Sequence, residues 1–486
     1  MTDSSSCVAA PVRVAETHIS VLLFFGDRVY KFHKPVHFDF LDFRDRSARA
    51  EDCQREVELN RRLAPDVYLG VADLMMDGQP LDHMVVMRAL PEVRQLASLV
   101  QNEQDIETRL DSVAAVLSSF HQTAMRSAEI SACASLSAMK LKWKENFEEV
   151  TRLSDTPLDP RVEAEIRCLV MHWLDSHQAL LETRISEGHI CDGHGDLQAS
   201  DIYCLDDGVR ILDCLEFSDR LRWDDVCADV AFLAMDLERL GYPDAAGMFI
   251  RAYERHSGHR LPPSLLHLHI GLRAYVRAKV ACLRSEQDGA VSHSAVELQA
   301  LALKHLRSAR SAVVLVGGLP GTGKSTLAAG LAAETGWTLL RSDEIRRHQS
   351  VGPDRYAPGS RAAVYEELLK SARQRLEEGE SVILDASWIS TEERALAAQL
   401  AEDAKTELLA ICCRCDDSIG ADRIRQRLAR GDDVSEATVA VRDVMEAGMD
   451  EWPSAIVIDT SHSAASVNLE NALSELVPSV MPGGLD

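Results

Sequence analysis

The run AVVLVGGLPGTGKSTLAAGLAAE, Ala312 to Glu334, leaves few choices of local fold. An apolar stretch of strand length gives way to glycines, and a helix-forming stretch follows at once. Gly318 to Ser325 fits G-x-x-x-x-G-K-[ST], in which glycines let backbone N–H groups wrap phosphates and a helix N-terminus points at them. The pattern assigns ATP phosphates to Gly318, Gly321, Thr322, Gly323, Lys324, Ser325 and Thr326. Lys324 reaches the β- and γ-phosphates, and Ser325 binds Mg2+.

From Ser311 on, strand and helix patterns alternate through TLLRS, SVILDAS, ELLAICC and AIVIDT. That predicts an α/β domain over 311–486 with a parallel sheet of about five strands. The strand SVILD ends in Asp385-Ala386-Ser387, without the glutamate that activates water in hydrolytic motors. Transfer to a bound acceptor is therefore favoured over hydrolysis, with Asp385 touching metal water or substrate at the strand's carboxyl end. In LLRSDEIRRH, Asp343 and Arg346 are similar to the acid–arginine pair of polynucleotide 5′-hydroxyl kinases and zeta-toxin-like kinases. The similarity implies that Asp343 takes the acceptor's proton and that Arg346 orients the acceptor. Arg423, Arg427 and Arg430 recur at helical spacing, as in a lid that brings an arginine to the transferring phosphate, with Arg427 the candidate. Domains of this kind resemble those often called AAA-type ATPases, a label that does not imply a motor.

Upstream lies a second set of phosphotransfer residues. In HGDLQASDIY, Asp196 is placed to accept a hydroxyl proton, and Asp201 five residues on to hold magnesium. Asp213 ends the strand VRIL, placed to hold the bridging magnesium, while Lys31 and Glu56 are placed to clamp the α/β-phosphates. An aspartate in a turn is ordinarily only a turn former, and a Lys/Glu pair ordinarily a surface ion pair. The ordered set carries more weight than its parts.

VYKFHKP, REVELNRRL, HGDLQASDI and ILDCLEF together resemble the aminoglycoside-phosphotransferase-like branch of the protein-kinase fold. With ETHIS, DVAFLAMDLE and RAYVRAKV, the chain resembles bacterial proteins that fuse such a domain to a P-loop kinase domain. The resemblance implies an α+β kinase-like fold, Asp196 as base, Asp201 and Asp213 on Mg2+, and Lys31 paired with Glu56. It also implies a hinge from Met87 to Leu90 whose backbone holds adenine, and Thr17 to Ser20 covering the phosphates in place of a glycine-rich loop. Asp201 departs from the commoner asparagine: it binds magnesium as well, but loses an N–H donor and crowds a third carboxylate into the site. The expected domains are 1–284 (lobes 1–95 and 96–284), a linker and helix at 285–310, and 311–486.

The net charge of −25 over 486 residues, with no basic block, argues against extended nucleic-acid or membrane-surface binding. Arg273, Arg277 and Arg284 line one side of a helix and mark a candidate patch for an anionic substrate. Twelve cysteines without framework spacing suggest a reducing cytoplasm, and Cys412 and Cys415 read as core residues rather than metal ligands. The sequence thus predicts a cytoplasmic ATP- and Mg2+-dependent phosphotransferase with two sites acting on small hydroxyl acceptors. Its alternative is an active P-loop kinase regulated by a weak or inactive N-terminal nucleotide-binding domain. The residues leave the oligomeric state open.

Overall fold

Val29, Lys31 and His33 turn inward from one strand while Arg28, Tyr30 and Phe32 are less buried, the period of two that a half-buried sheet requires. The computed structural model describes residues 13–17, 19–38, 41–102, 105–153, 156–288, 293–348, 358–430 and 437–480. These fall into two compact units. One comprises 1–148, 182–261 and 272–277, and the other 149–181, 262–271 and 278–486.

The first unit opens with a five-stranded antiparallel sheet. Its strands are β1 (Arg13–Glu16), β2 (Ser20–Phe25), β3 (Arg28–His33), β4 (Tyr68–Met76) and β5 (Gln79–Arg88), in the order β1-β2-β3-β5-β4. Asp77 and Gly78, both at positive φ, make the two-residue turn between β4 and β5, whose twist suits a hairpin. Helix α1 (Arg46–Asn60) starts where Asp45 accepts from the Ser47 N–H. It packs Cys53 and Val57 against Val29, Val85 and Met87. The remainder is mainly helical. Its short strands β6 (Ile190–Asp192), β7 (Ile202–Leu205), β8 (Gly208–Ile211) and β9 (Trp223–Asp225) form two antiparallel pairs, β6 with β9 and β7 with β8. Helix α2 (Val226–Arg239), buried along nearly its whole length, follows β9.

The second unit holds a five-stranded parallel sheet of β10 (Ala312–Gly317), β11 (Thr338–Arg341), β12 (Val382–Asp385), β13 (Glu407–Arg414) and β14 (Ile456–Asp459). The order β11-β12-β10-β13-β14 puts the strand before the glycine loop at the centre, as expected for α/β crossovers. Both faces are covered. Val313, Leu315 and Leu384 pack on one side with Leu368 and Trp388, and Val314, Val316 and Ile383 on the other with Leu327 and Leu331.

Packing does not divide the chain at residue 284. Segments 149–181, 262–271 and 278–310 group with the parallel sheet. Local bonds explain the grouping. The Gln299 side chain bonds both the N–H and the carbonyl of Asp159, and Arg307 forks onto Glu165. His177 meets Ser311 at 3.2 Å, and the Ser264 N–H donates to the Gly379 carbonyl. The expected linker and helix yield a helix at His293–Ser308, while residues 289–292 of that stretch lie outside the described residues.

Candidate functional site

Two sites emerge, one in each unit. In the first, Lys31 Nζ donates to Glu56 Oε1 at 2.9 Å and to Asp213 Oδ1 at 3.0 Å. Glu56 is fully buried on α1, whereas the Asp213 side chain is 54% exposed. Burial works against the lysine's charge, but Asp213 and Glu56 outweigh it and hold Lys31 well above its usual range. Lys31 in turn lowers Asp213. Asp213 sits at φ 62°, and its N–H donates to the Tyr68 hydroxyl; the next N–H, of Cys214, donates to Asn60. Two bonds from the sheet and α1 thus hold a strained aspartate beside the lysine.

Asp196 lies on the loop after β6. Burial raises its carboxyl to about 6, against the opposing charge of Arg277. Gln198 Nε2 donates to its Oδ2. Asp201 closes a short turn after the loop and is pushed well above the carboxylate range by burial, then by Asp213 and Asp196. The three aspartates foreseen from the spacing thus share one electrostatic environment. The Asp201 carboxyl leans toward its neutral form, which a divalent cation between Asp201 and Asp213 would reverse.

The loop is held by groups that the sequence reading did not single out. Asp229 of α2 accepts the N–H groups of His194 (2.7 Å) and Gly195 (2.9 Å), and its Oδ2 meets His121 Nε2 at 3.1 Å. Asp236, two turns on, accepts the Ala199 N–H. Arg222, fully buried, bonds Asp192, Asp219 and the Leu215 carbonyl. Arg62 reaches the carbonyls of Asp192 and Gly193. The seven-residue spacing of two aspartates on an otherwise apolar helix, in DVAFLAMDLE, was the available signal. Glu216, buried and raised chiefly by burial, also stands near Lys31 and was missed. So was His33, whose Nε2 is 3.2 Å from Asp52 Oδ2 and which burial lowers to about 3.

The remaining first-site residues are placed as follows. Met87 is a ladder residue, paired with both Val29 and Tyr68, with its side chain buried in the core. Leu90 lies past the strand end, in the connector. Thr17 and Ser20 close a turn through the Ser20 N–H and Thr17 Oγ1, whereas His18 lies outside the described residues. Arg273 and Arg277 act on Asp196, while Arg284 belongs to the other unit.

In the second site, β10 is wholly buried and ends in the glycine loop. A Cβ on Gly318 would stand 2.4 Å from the Cys413 carbonyl, and one on Gly321 2.4 Å from that of Gly420. Both have positive φ, so only glycine fits. Helix α3 (Lys324–Thr335) opens without a side-chain cap at Gly323 and carries Lys324, Ser325 and Thr326 in its first turn. Thr322 instead bonds within the loop, to the Leu319 carbonyl. Arg442 bridges the Pro320 carbonyl and Asp417. Arg423 binds Thr460, whose hydroxyl donates to the Thr322 carbonyl.

Asp385 ends β12, in register with Val316 and Arg341, and its Oδ2 accepts from Arg341 Nε. Its Oδ1 is buried with no hydrogen-bond partner among the described residues. Such an oxygen suits water on a metal ion. Asp343 and Arg346 form an ion pair at the start of helix α4 (Ser342–His348). Of the three arginines on helix α5 (Asp417–Arg430), Arg423 braces the glycine loop. Arg427 bonds the Ala437 carbonyl, and residues 431–436 of the expected lid lie outside the described residues. Cys412 is a core residue, and Cys415 lies 3.8 Å from the Gly321 carbonyl. Among the described residues, no group of three or more His, Cys, Asp or Glu is arranged to hold a metal ion. No described helix is long and apolar enough to cross a membrane.

Comparison with known proteins matches residues 313–452 to a family described as an AAA domain. Uncharacterized proteins of Mycobacterium tuberculosis (Rv2004c) and Mycobacterium bovis (Mb2027c) are each 40% identical over 479 residues, covering 95% of this chain and 96% of theirs. The chain belongs to their family. Among solved structures, a choline/ethanolamine kinase family protein from Mesorhizobium loti is 14% identical. It covers 62% of this chain and 89% of its own, with a TM-score of 0.40. A gluconokinase from Sinorhizobium meliloti is 18% identical and covers 35% of this chain and 93% of its own, at 0.27.

Proposed function

We propose that the chain is an ATP-dependent phosphotransferase with two nucleotide sites, each moving the γ-phosphoryl group to a hydroxyl of a small acceptor. The observation that carries this reading is the Lys31 ammonium bonded at once to Glu56 and Asp213, with Asp196 on a braced loop beside them. A lysine used only for stability has no need of a strained, half-exposed aspartate as its second partner. In the first site Lys31 steadies the α/β-phosphates and Asp196 accepts the acceptor's proton. In the second, the backbone N–H groups of 318–326 cradle the phosphates, Lys324 reaches the γ-phosphate, and Asp343 serves as base with Arg346 orienting the acceptor.

The donor sets are all oxygen, which suits magnesium: Asp201 and Asp213 in one site, Ser325 and the unpartnered oxygen of Asp385 in the other. Two protein oxygens suffice where phosphates and water complete the shell. Bound there, the ion would neutralise charge on the β- and γ-phosphates.

A second reading, nucleotide binding without transfer at the first site, draws on the crowding of Asp201 against two other carboxylates. Labelled ATP offered with a library of hydroxyl compounds to wild type, Asp196→Ala and Lys324→Ala separates the two. Distinct acceptors lost with each variant support two kinases. Transfer abolished by Lys324→Ala and untouched by Asp196→Ala leaves the first site a nucleotide-binding regulator.

A further inference from the structure

The acceptor side of the first site has an unusual charge for a fold that resembles aminoglycoside phosphotransferases. Helix α6 (Pro263–Asp288) carries Arg273 and Arg277 one turn apart, so the two guanidinium groups share a face. The Arg273 side chain is only 9% exposed, yet its Nε and Nη2 have no hydrogen-bond partner among the described residues. Its nearest carboxylate, Asp224, is 3.8 Å from Nη2, and that carboxylate is already bonded by Lys142 at 2.7 Å. Phe232 lies under the guanidinium at 5.1 Å and supplies a face rather than a hydrogen bond. A buried guanidinium with idle N–H groups is costly unless something binds it. Both arginines lie close enough to Asp196 for their charges to act on its carboxyl.

We propose that the acceptor of the first site is an anion, a small hydroxyl compound whose phosphate or carboxylate group is held by Arg273 and Arg277 while its hydroxyl faces Asp196. The proposal rests on the phosphotransferase reading of that site. The placement of charge favours it. Two arginines act on the Asp196 carboxyl, while Asp224, beside Arg273, is bonded by Lys142. A planar guanidinium pairs with phosphate or carboxylate through two parallel N–H bonds, which fixes orientation as well as affinity. In the step itself, the acceptor oxygen bonds the γ-phosphorus as the bond to the ADP oxygen breaks. The hydroxyl proton passes to Asp196. A polycationic acceptor would meet like charge at this position.

The test uses full-length protein carrying Lys324→Ala, so that only the first site transfers. Labelled ATP is supplied with glucose, gluconate, glucose 6-phosphate and kanamycin as matched neutral, carboxylate, phosphate and cationic probes. In parallel, inorganic phosphate is titrated by calorimetry into protein saturated with a non-hydrolysable ATP analogue and magnesium. The expected result is saturable phosphate binding that Arg277→Gln and Arg273→Gln each weaken tenfold or more, with analogue affinity unchanged. Label is then expected in gluconate or glucose 6-phosphate and in neither glucose nor kanamycin. Which of the two accepts it distinguishes carboxylate from phosphate. Where no probe is an acceptor, the phosphate titration decides. Phosphate binding absent, or equal in parent and variants, overturns the proposal, as does transfer to glucose or kanamycin. Arg277→Gln carries the comparison should the more buried Arg273→Gln fail to fold. If the analogue itself binds without dependence on Lys31, the nucleotide reading falls and this proposal with it. If the analogue binds and phosphate does not, only this proposal falls.

Discussion

Asp196 is buried among charges of both signs, and the balance leaves its carboxyl at about 6, above the ordinary aspartate. A general base works only when deprotonated, so first-site kcat/KM is expected to rise with pH through about 6 and to fall about tenfold per unit below it. A pH–rate profile of the Lys324→Ala protein checks this, and a limb near 4 would contradict the environment described. Asp201 poses the complementary question. Its carboxyl is raised by burial, then by Asp213 and Asp196, and an amide oxygen would bind magnesium without that crowding. Asp201→Asn is therefore expected to keep transfer within about tenfold, whereas Asp201→Ala, with no oxygen left, loses about a hundredfold. Equal losses in both variants, measured across a magnesium titration, would assign Asp201 a role other than holding the ion.

At the scale of elements, α2 is the device that shapes the first site. The Asp229 carboxylate takes two loop N–H groups and faces His121, and burial does not prevent those partners from holding it well below the usual range. Asp229→Ala leaves buried donors without acceptors and is expected to cost about 3–5 kcal/mol in urea unfolding. Because the folded-state carboxyl is depressed, its contribution is present above the unfolded value of about 3.9 and is lost as pH falls below it. Asp229→Asn is accordingly expected to flatten the acid limb of stability. An acid limb identical to that of wild type would argue that Asp229 adds nothing as a charge. In the second unit, Gly321→Ala sets a Cβ against the Gly420 carbonyl at positive φ, and nucleotide affinity there is expected to fall by about a hundredfold or more. What the sequence made legible was local. The glycine loop and the parallel strands follow from residues near one another in the chain or from a period along it, whereas Lys31, Glu56 and Asp213 were legible only as an ordered set of chemical types. The braces were illegible for the opposite reason. Asp229 and the loop it holds are 35 residues apart at His194, and Arg442 is 122 from Pro320, so the Asp229–Asp236 spacing marks two buried carboxylates without saying what they hold.

For the whole molecule, the two-site proposal makes nucleotide handling duplicated, not shared. Each unit contains its own candidate phosphate lysine, Lys31 in one and Lys324 in the other, and its own candidate base. The units are not the two blocks suggested by reading along the chain, since helical segments before residue 284 pack with the parallel sheet. The bonds from Gln299 to Asp159 and from Arg307 to Glu165 make those segments part of the second unit's structure. Cutting the chain at 284 would therefore remove packing from the second unit, so the sites are best counted in the intact protein. Calorimetric titration of full-length protein with a non-hydrolysable ATP analogue and magnesium is expected to give two equivalents bound. Lys31→Met and Lys324→Ala should each reduce the count to one, and the double variant to none, with the melting temperature of each single variant still rising on nucleotide addition. The two lysines differ in what their loss leaves behind. Removing Lys31 strands Glu56 in a buried position without its cation, so that variant is expected to lose stability as well as a site. Among the described residues Lys324 has no such buried ion-pair partner, so Lys324→Ala should lose the site alone. A single equivalent in wild type, abolished by Lys324→Ala, would reduce the first unit to a kinase-like scaffold whose lysine network serves only its own fold.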